Sequence, residues 1–400
     1  MTYENDGRER VFTGHTGRLF VLLTVIVVCL QLAQRLLPPL LPTIIDDLGI
    51  TAFLAGVALS LLRLGRASME YPGGRFADQL SRTTVVLVSL GFGIVGVVAL
   101  ALSTTYAVFL VAVAVLGMAL GLYIPSSRTL LSDIFEEKRG RAFGINMVGS
   151  DLSGVAAAGI AVWIVSVATW RGAFLPLALV LVPLAVLLAR MSREPVRVES
   201  VGLGLRETAS RVFRTRSIRW LLVVYALFMV ATNGVMSFLP TFLIDVQGVS
   251  LAFASAAFAL VFAVGVVARP VSGVLSDRLP RPLVSGGSLI VTAAGLGLVV
   301  YAPVEAAAIA GVVVFAFGLK GVPPALQAYL MDRFPEESMG TDFGAFRAVY
   351  KTVGSLGPGY TGFVAHAYGF VPAFTSLLLF FLVGGTILVW FSVFGWPGDA

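Results

Sequence analysis

Runs of mostly apolar residues, each about as long as a bilayer is thick, recur along almost the whole of this 400-residue chain. A helix that crosses the hydrocarbon core needs about 20 such residues, because it must satisfy its backbone polar groups internally. With 58% of its residues hydrophobic and 12% charged, the sequence is too apolar for a protein whose surface faces water. It predicts an all-α membrane protein in a lipid bilayer and excludes a spanning β-barrel, whose strands are shorter and alternate.

Twelve spans are predicted where polar, charged or Gly/Pro-rich breaks divide these runs. A longer arginine-rich stretch, 192–217, has no long apolar run and predicts a cytoplasmic linker between an N-terminal half, 1–191, and a C-terminal half, 218–400. The predicted spans of the first half are 18–43, 51–71, 83–103, 106–131, 142–165 and 173–190, and those of the second half are 218–242, 252–276, 283–302, 305–331, 343–365 and 370–395.

The distribution of Lys and Arg predicts the orientation of the chain. Outside the spans, these residues lie in the N-terminal tail and in the loops after even-numbered spans, whereas only Arg171 lies in the opposite loops. Cytoplasmic loops near spans hold an excess of both residue types. We therefore expect a multi-pass protein of the cell membrane with both termini in the cytoplasm, and we assign the net charge of +6 to orientation and not to a nucleic-acid partner.

An internal repeat with a spacing of about 200 residues divides the chain into two similar halves. Such a parallel repeat is typical of transporters built from two homologous bundles. Gly74, Asp78, Arg82, Pro125, Asp133 and Phe135 recur as Gly273, Asp277, Arg281, Pro324, Asp332 and Phe334.

The segment from Gly74 to Arg82 and its copy from Gly273 to Arg281 resemble the signature loop G-x-x-x-D-x-x-G-R of the major facilitator superfamily. Ser81 and Pro280 replace the second glycine of that pattern. We expect glycine to permit a tight turn there and the aspartate to cap a neighbouring helix end. The resemblance implies two pseudo-symmetric six-helix bundles around a central cavity, with gating loops formed by Gly74, Asp78, Arg82, Gly273, Asp277 and Arg281.

More cations than acids lie inside the predicted spans. A charge at this depth costs several kcal/mol unless it has a partner, a watery cavity or a route to the interface. None falls on spans 3, 6, 9 or 12, which the family resemblance makes the outer spans, so the charges are expected to line the central cavity. They are Arg35, Arg63, Arg66, Arg128, Arg269, Lys320, Arg347 and Lys351, with Glu70 and Asp151 as the acids.

Three of these cations have simple structural interpretations. Arg128 and Arg347 lie near cytoplasmic ends and can extend to the interface. Arg66 can pair with Glu70, one helical turn further on.

The repeat indicates a second set of ion pairs, because it aligns Glu70 with Arg269 and Asp151 with Lys351. The family's packing of spans 2 and 5 against spans 11 and 8 would let Glu70 meet Arg347 or Lys351, and Asp151 meet Arg269. We expect these pairs between the halves to hold one access state and to break in the other. Asp151 is then either a proton carrier for coupling or an anchor for Arg269.

This pairing leaves Arg35, Arg63 and Lys320 without an acid near the middle of the membrane, and an anionic substrate is the simplest partner. Gln31 lies one turn before Arg35 on the same helix face. Lys320 precedes Pro323-Pro324, which we expect to break the tenth span and free carbonyl groups beside it. Arginine offers a carboxylate two parallel hydrogen bonds, and lysine adds a compact charge.

Family comparison points the same way. Arg269, within Ala268-Arg269-Pro270-Val271-Ser272-Gly273, resembles the eighth-helix arginine of monocarboxylate and oxalate–formate transporters, and Lys351 resembles the second cation of the latter. Arg35 is placed like the first-helix arginine of anion:cation symporters. The predicted function is alternating-access transport of a small organic anion such as a carboxylate, with a proton or cation as possible co-substrate and with Arg35, Arg269, Lys320, Lys351, Arg63 and Gln31 as the substrate-binding residues.

Proton-coupled drug efflux is the alternative, since the same fold supports it. The fifth span lacks the Gly-Pro pair usual in drug antiporters, although Gly357-Pro358-Gly359 carries one in the eleventh, and the surplus of cations disfavours cationic drugs. Sugar transport would be unusual for so positive a cavity. No enzyme, cofactor or metal site is indicated, because Cys29 is the lone cysteine, His15 and His366 are not spaced as metal ligands, and no nucleotide-binding lysine motif is found.

Overall fold

A computed structural model describes residues 14–79, 81–135, 139–191, 216–301, 305–334 and 339–395. In these ranges the regular structure consists of α-helices and one short 3₁₀ helix, Trp170–Ala173. The α-helices are α1 Gly14–Leu48, α2 Ala52–Gln79, α3 Arg82–Ala101, α4 Tyr106–Ile134, α5 Arg139–Val167, α6 Leu175–Met191, α7 Arg216–Gln247, α8 Leu251–Arg278, α9 Arg281–Tyr301, α10 Glu305–Met331, α11 Met339–Gly354, α12 Gly357–Tyr368 and α13 Phe370–Phe394.

Eleven helical segments of the described chain are long and apolar enough to cross a membrane. They correspond to predicted spans 1 to 10 and 12, and the sixth includes the 3₁₀ helix before α6. The eleventh predicted span, 343–365, is divided between α11 and α12, which are 16 and 12 residues long. The prediction of an all-α protein with twelve membrane-crossing segments is confirmed, with a broken eleventh segment as a new feature.

The helices pack into two compact units. One contains the described residues of 1–37 and 61–203, and the other contains 38–60 and the described residues from 204 onward. The end of α1 and the beginning of α2 therefore belong with the C-terminal helices. The predicted boundaries of the two halves stay a prediction, and most of the predicted linker, 192–215, lies outside the described residues.

Glycine positions bring α2 and α4 close together in the first unit. A Cβ on Gly65 would lie 2.8 Å from the carbonyl oxygen of Ala114, and one on Gly117 would overlap the carbonyl oxygen of Leu62. A Cβ on Gly121 would overlap the carbonyl oxygen of Arg66. Small residues allow such close approach because helix association within a bilayer depends on packing contacts.

The two halves also end their first helices, α1 and α7, in the same way, a correspondence beyond the residues of the repeat named above. Gly49 and Gly248 follow these helices with φ of 58° and 68°, a left-handed conformation that favours glycine. Thr51 and Ser250, two residues after these glycines, cap α2 and α8, and each hydroxyl accepts from the backbone N–H three residues on, at 3.3 and 3.2 Å. The two halves therefore share turn chemistry as well as helix order.

The signature loops join neighbouring helices through equivalent ion pairs. Arg82, at the start of α3, pairs with Asp133 near the end of α4, and Arg281, at the start of α9, pairs with Asp332 after α10. The prediction that glycine makes a tight turn here is wrong, because Gly74 lies within helix α2.

In the second copy of the signature loop the glycine also lies inside a helix, since Gly273 is part of α8. In the first copy it is the preceding residue, Gly73, that permits close approach, with a Cβ position 3.0 Å from the Cα of Leu122. Asp277 is exposed, and the side chain of Asp78 lies outside the described part of the chain.

Candidate substrate-binding site

Arg35 reaches from the middle of α1 onto α5. Its Nη1 donates to the carbonyl oxygen of Ser150 and, at 3.4 Å, to that of Asp151, while Nη2 donates to Ser150 Oγ at 3.4 Å. Nη2 also lies 3.9 Å from Asp151 Oδ1, and the two side chains are only 17% and 15% exposed. The prediction that Arg35 lacks an acid near the middle of the membrane is therefore wrong, since Asp151 lies beside it.

The sequence of α5 permits this contact because it is small and polar where α1 crosses it. A Cβ on Gly149 would lie 3.2 Å from a methyl carbon of Val28 and 3.3 Å from that of Thr24. Asn146 Nδ2 donates to Thr24 Oγ1 at 3.5 Å. Close approach of the helices thus brings the Arg35 guanidinium within reach of the α5 backbone.

Polar side chains of α2 extend this cluster along α1. Arg66 Nη1 donates to Gln34 Oε1 at 3.1 Å, a contact between helices, and the expected local pair of Arg66 with Glu70 stays a prediction. Gln31 is buried, and Arg63 is half-buried one turn before Arg66. The sequence did not single out Gln34 as a site residue, although a second glutamine directly before Arg35 in an apolar span could have indicated it.

In the second unit, Lys320 of α10 lies against α8. Its Nζ is 4.5 Å from the centroid of the Phe262 ring, a cation–π arrangement. Gly265 provides room for the lysine stem, since a Cβ there would lie 3.1 Å from Lys320 Cγ. Sequence reasoning missed Phe262, because one phenylalanine in an apolar helix looks like an ordinary core residue.

Arg269 lies two turns after Phe262 on the same face of α8 and is half-buried. Nearby, Ser272 Oγ donates to the carbonyl oxygen of Gly321 at 2.5 Å, which fixes α8 against α10 next to Lys320. Two predicted substrate-binding cations are thus carried by one pair of packed helices.

The predicted break at Pro323-Pro324 is wrong, because both prolines lie inside the continuous helix α10. The break occurs instead between α11 and α12, at Ser355 and Leu356, just before Pro358. Pro358 has no N–H to donate to the carbonyl oxygen of Gly354, four residues earlier. Asn233 Nδ2 from α7 donates to that oxygen at 2.8 Å.

Lys351 occupies the last turn of α11 and is half-buried. A cation is favoured there, because the unsatisfied carbonyl groups give a helix C-terminus partial negative charge. Glu70 is half-buried on α2, and Arg128 is exposed, in agreement with an arginine that reaches the interface. The proposed pairs between the halves join separately described units and stay predictions.

Eleven segments of the described chain long and apolar enough to cross a membrane, a divided eleventh predicted span, an internal repeat and charged side chains inside the spans are features of a membrane transporter. The chain belongs to the Major Facilitator Superfamily, whose family model matches residues 23–358.

Three relatives match most of the chain. A cis,cis-muconate transport protein of Acinetobacter baylyi is 23% identical over 91% of each chain. The transcription regulatory protein OpdE of Pseudomonas aeruginosa is 25% identical over 89% of each chain. A hexuronate transporter of Bacillus subtilis is 22% identical over 86% of this chain and 85% of its own.

A solved structure of a bacterial homologue of the human lysosomal transporter Spinster, inward-facing and occupied, has the same fold. It superposes with a TM-score of 0.80 over 98% of this chain and all of its own, at 17% identity.

Proposed function

We propose that this protein is a secondary active transporter of the cell membrane that moves a small organic anion, most simply a carboxylate, by alternating access. The observation that carries the proposal is a set of half-buried cations in each compact unit. Arg35, Arg63 and Arg66 lie in the first unit, and Arg269, Lys320 and Lys351 lie in the second.

Electrostatics supports an anion as the partner. Positive charges held in a poorly hydrated environment raise the local concentration of anions and disfavour cationic solutes. An arginine fork provides two parallel hydrogen bonds to a carboxylate, and a lysine adds a compact charge.

The proposed coupling follows from the same charges. Import of an anion against the membrane potential needs a co-transported proton or cation to supply the free energy. The relatives' names favour carboxylates, since muconate and hexuronate are both organic acids. We infer that both termini are cytoplasmic from the loop distribution of Lys and Arg.

Thermal unfolding of the purified protein tests the proposal. The panel contains succinate, D-glucuronate, cis,cis-muconate, phosphate, glucose and the cation tetraphenylphosphonium. A ligand that binds only the folded state at about 100 times its Kd stabilises it by about 2.7 kcal/mol, which raises Tm by a few degrees.

We expect a carboxylate to raise Tm and the rise to disappear in Arg35→Gln and Lys320→Gln. Arg190→Gln is the matched control, because Arg190 is exposed in the last turn of α6. Stabilisation by tetraphenylphosphonium alone would contradict the proposal and favour proton-coupled drug efflux.

A further inference from the structure

We infer that the packed helices α8 and α10 make this transporter selective for dicarboxylates: Arg269 and Lys320 bind the two carboxylates of one substrate, and Gly265 and Phe262 fix the distance between these cations. The inference rests on the proposed function and deepens it, because it names the substrate class among the small organic anions. All four residues belong to one compact unit.

Lys320 lies along the surface of α8. A Cβ on Gly265 would lie 3.1, 3.2 and 3.5 Å from Cγ, Cδ and Cε of the lysine, so three successive carbons of the stem pass this glycine. The Nζ then lies 4.5 Å from the centroid of the Phe262 ring, nearly one turn before Gly265. The ammonium group therefore has a defined position at the end of a stem that α8 supports.

Arg269 lies on the same side of α8 as these contacts. Phe262, Gly265 and Arg269 are three and four residues apart, and residues at this spacing share a helix face. The Cα atoms of Phe262 and Arg269 are separated by about 10 Å along the axis, and helical side chains lean toward the N-terminus. The guanidinium of Arg269 therefore extends toward the ammonium of Lys320, and the two cations lie within about two helical turns of each other.

Backbone packing holds the helix that carries Lys320 in place. Directly after Lys320, the carbonyl oxygen of Gly321 accepts from Ser272 Oγ of α8 at 2.5 Å. A Cβ on Gly318 would lie 2.5 Å from the backbone nitrogen of Thr292 in α9, so α10 is also close-packed against α9. A site that selects a ligand by the spacing of its charges needs its own charges in fixed positions, and this packing provides them.

Two neighbouring cations favour a substrate with two negative groups. Like charges repel more strongly where water is scarce, and both Arg269 and Lys320 are half-buried. A monocarboxylate neutralises one of them, whereas a dicarboxylate neutralises both and spans the gap with its carbon chain. Arg269 can donate two parallel hydrogen bonds to one carboxylate, and Lys320 can attract the other as a compact charge.

Ligand pairs that differ by one charge test the inference. Succinate is compared with monomethyl succinate, and cis,cis-muconate with its monomethyl ester, by thermal unfolding of the full-length protein at increasing ligand concentration. Near neutral pH the free carboxyl groups are ionised, so each ester keeps the carbon chain of the diacid and lacks one negative charge. We expect at least one diacid to bind the wild type at least about tenfold more tightly than its monoester, the contribution of one charged hydrogen bond.

Two variants assign this preference to α8 and α10. Lys320→Gln should remove it, so that the diacid binds no more tightly than the monoester. Gly265→Ala keeps both charges but presses on the lysine stem, and we expect diacid affinity to fall about threefold or more while monoester affinity stays unchanged. Gly287→Ala on α9, where a Cβ has nothing within 4 Å, is the matched control and should keep the wild-type ratio. The ratio of the two affinities is measured within each variant, so a change in basal Tm does not alter it.

Three results would overturn the inference and leave the proposed function standing. They are equal affinities of both diacids and their monoesters in the wild type, a preference for the diacid that persists in Lys320→Gln, and stabilisation by D-glucuronate without stabilisation by either diacid. If the diacids, the monoesters and D-glucuronate all fail to stabilise the wild-type protein, the proposed function fails and the inference fails with it.

Discussion

The two cation clusters stabilise charge in different ways. In the first unit, Arg35 of α1 lies on backbone oxygens of α5 and beside the carboxylate of Asp151. In the second unit, Lys320 of α10 lies over the ring of Phe262, with its stem against Gly265 of α8. Arg35 is therefore held against oxygen atoms of a neighbouring helix, and Lys320 against an aromatic ring.

The repeat makes this contrast sharper. It aligns Arg35 with Gly234 and Lys320 with Gly121, so that each half carries a glycine where the other carries a cation. Both glycines lie at tight helix contacts, Gly121 against the backbone of Arg66 and Gly234 against Thr361. The halves thus share a fold while one position carries a cation in one half and a closely packed glycine in the other.

Substitution at Gly121 should produce the largest effect on stability. A small effect would contradict the view that this position serves close packing in the first half. In Gly121→Ala the methyl group would overlap the carbonyl oxygen of Arg66 and lie 2.7 Å from Met69 Cβ, which forces α2 and α4 apart. We expect a loss of roughly 1–3 kcal/mol of stability, measured as a lower Tm.

Gly159→Ala on α5 is the matched control for this packing test. A Cβ there has nothing within 4 Å, so its Tm should stay near that of the wild type. Equal Tm values for the two variants would show that the α2–α4 contact does not need a glycine at 121.

Phe262→Leu should have an intermediate effect on ligand affinity. The change keeps an apolar side chain but removes the ring beneath Lys320 Nζ, a contribution of roughly 0.5–2 kcal/mol. Because Lys320 then loses its fixed position, we expect carboxylate affinity to fall about threefold to thirtyfold, measured from Tm against ligand concentration.

Phe262→Tyr keeps an aromatic face and should retain nearly full affinity. If it lost as much affinity as Phe262→Leu, the shape of the side chain, and not its π-system, would position Lys320.

Asn233→Ala should produce the smallest effect, at the broken eleventh segment. It removes the donor that satisfies the Gly354 carbonyl oxygen, and hydrogen bonds between membrane helices contribute about 0.6 kcal/mol on average. We expect Tm to fall by about one or two degrees. Asn146→Ala, which removes a longer bond of 3.5 Å, should change Tm less, and the reverse order would contradict the role of Asn233.

Proline shows how far local sequence predicts these helices. Pro323-Pro324 was expected to break its span, yet α10 continues through both residues. Pro358 follows a real break, and there Asn233 of another helix satisfies the carbonyl oxygen that the proline leaves. A proline removes one donor in every case, but whether the helix breaks depends on the groups that surround it.

The candidate site also shows which residues local sequence can predict and which it cannot. Arg35, Arg63, Arg269, Lys320 and Lys351 could be selected because a charge in an apolar span is conspicuous. Their neighbours could not be selected in the same way, since Phe262 and Ser150 look like ordinary residues of apolar helices.

The sequence by itself determined the class of the protein. Apolar runs, loop arginines and the repeat are properties of neighbouring residues or of fixed spacings, and they define twelve crossing segments and a transporter. Only the tertiary structure decided which groups surround each charge. Arg35 and Ser150 are separated by 115 positions along the chain, so helix packing, and not local sequence, selects that contact.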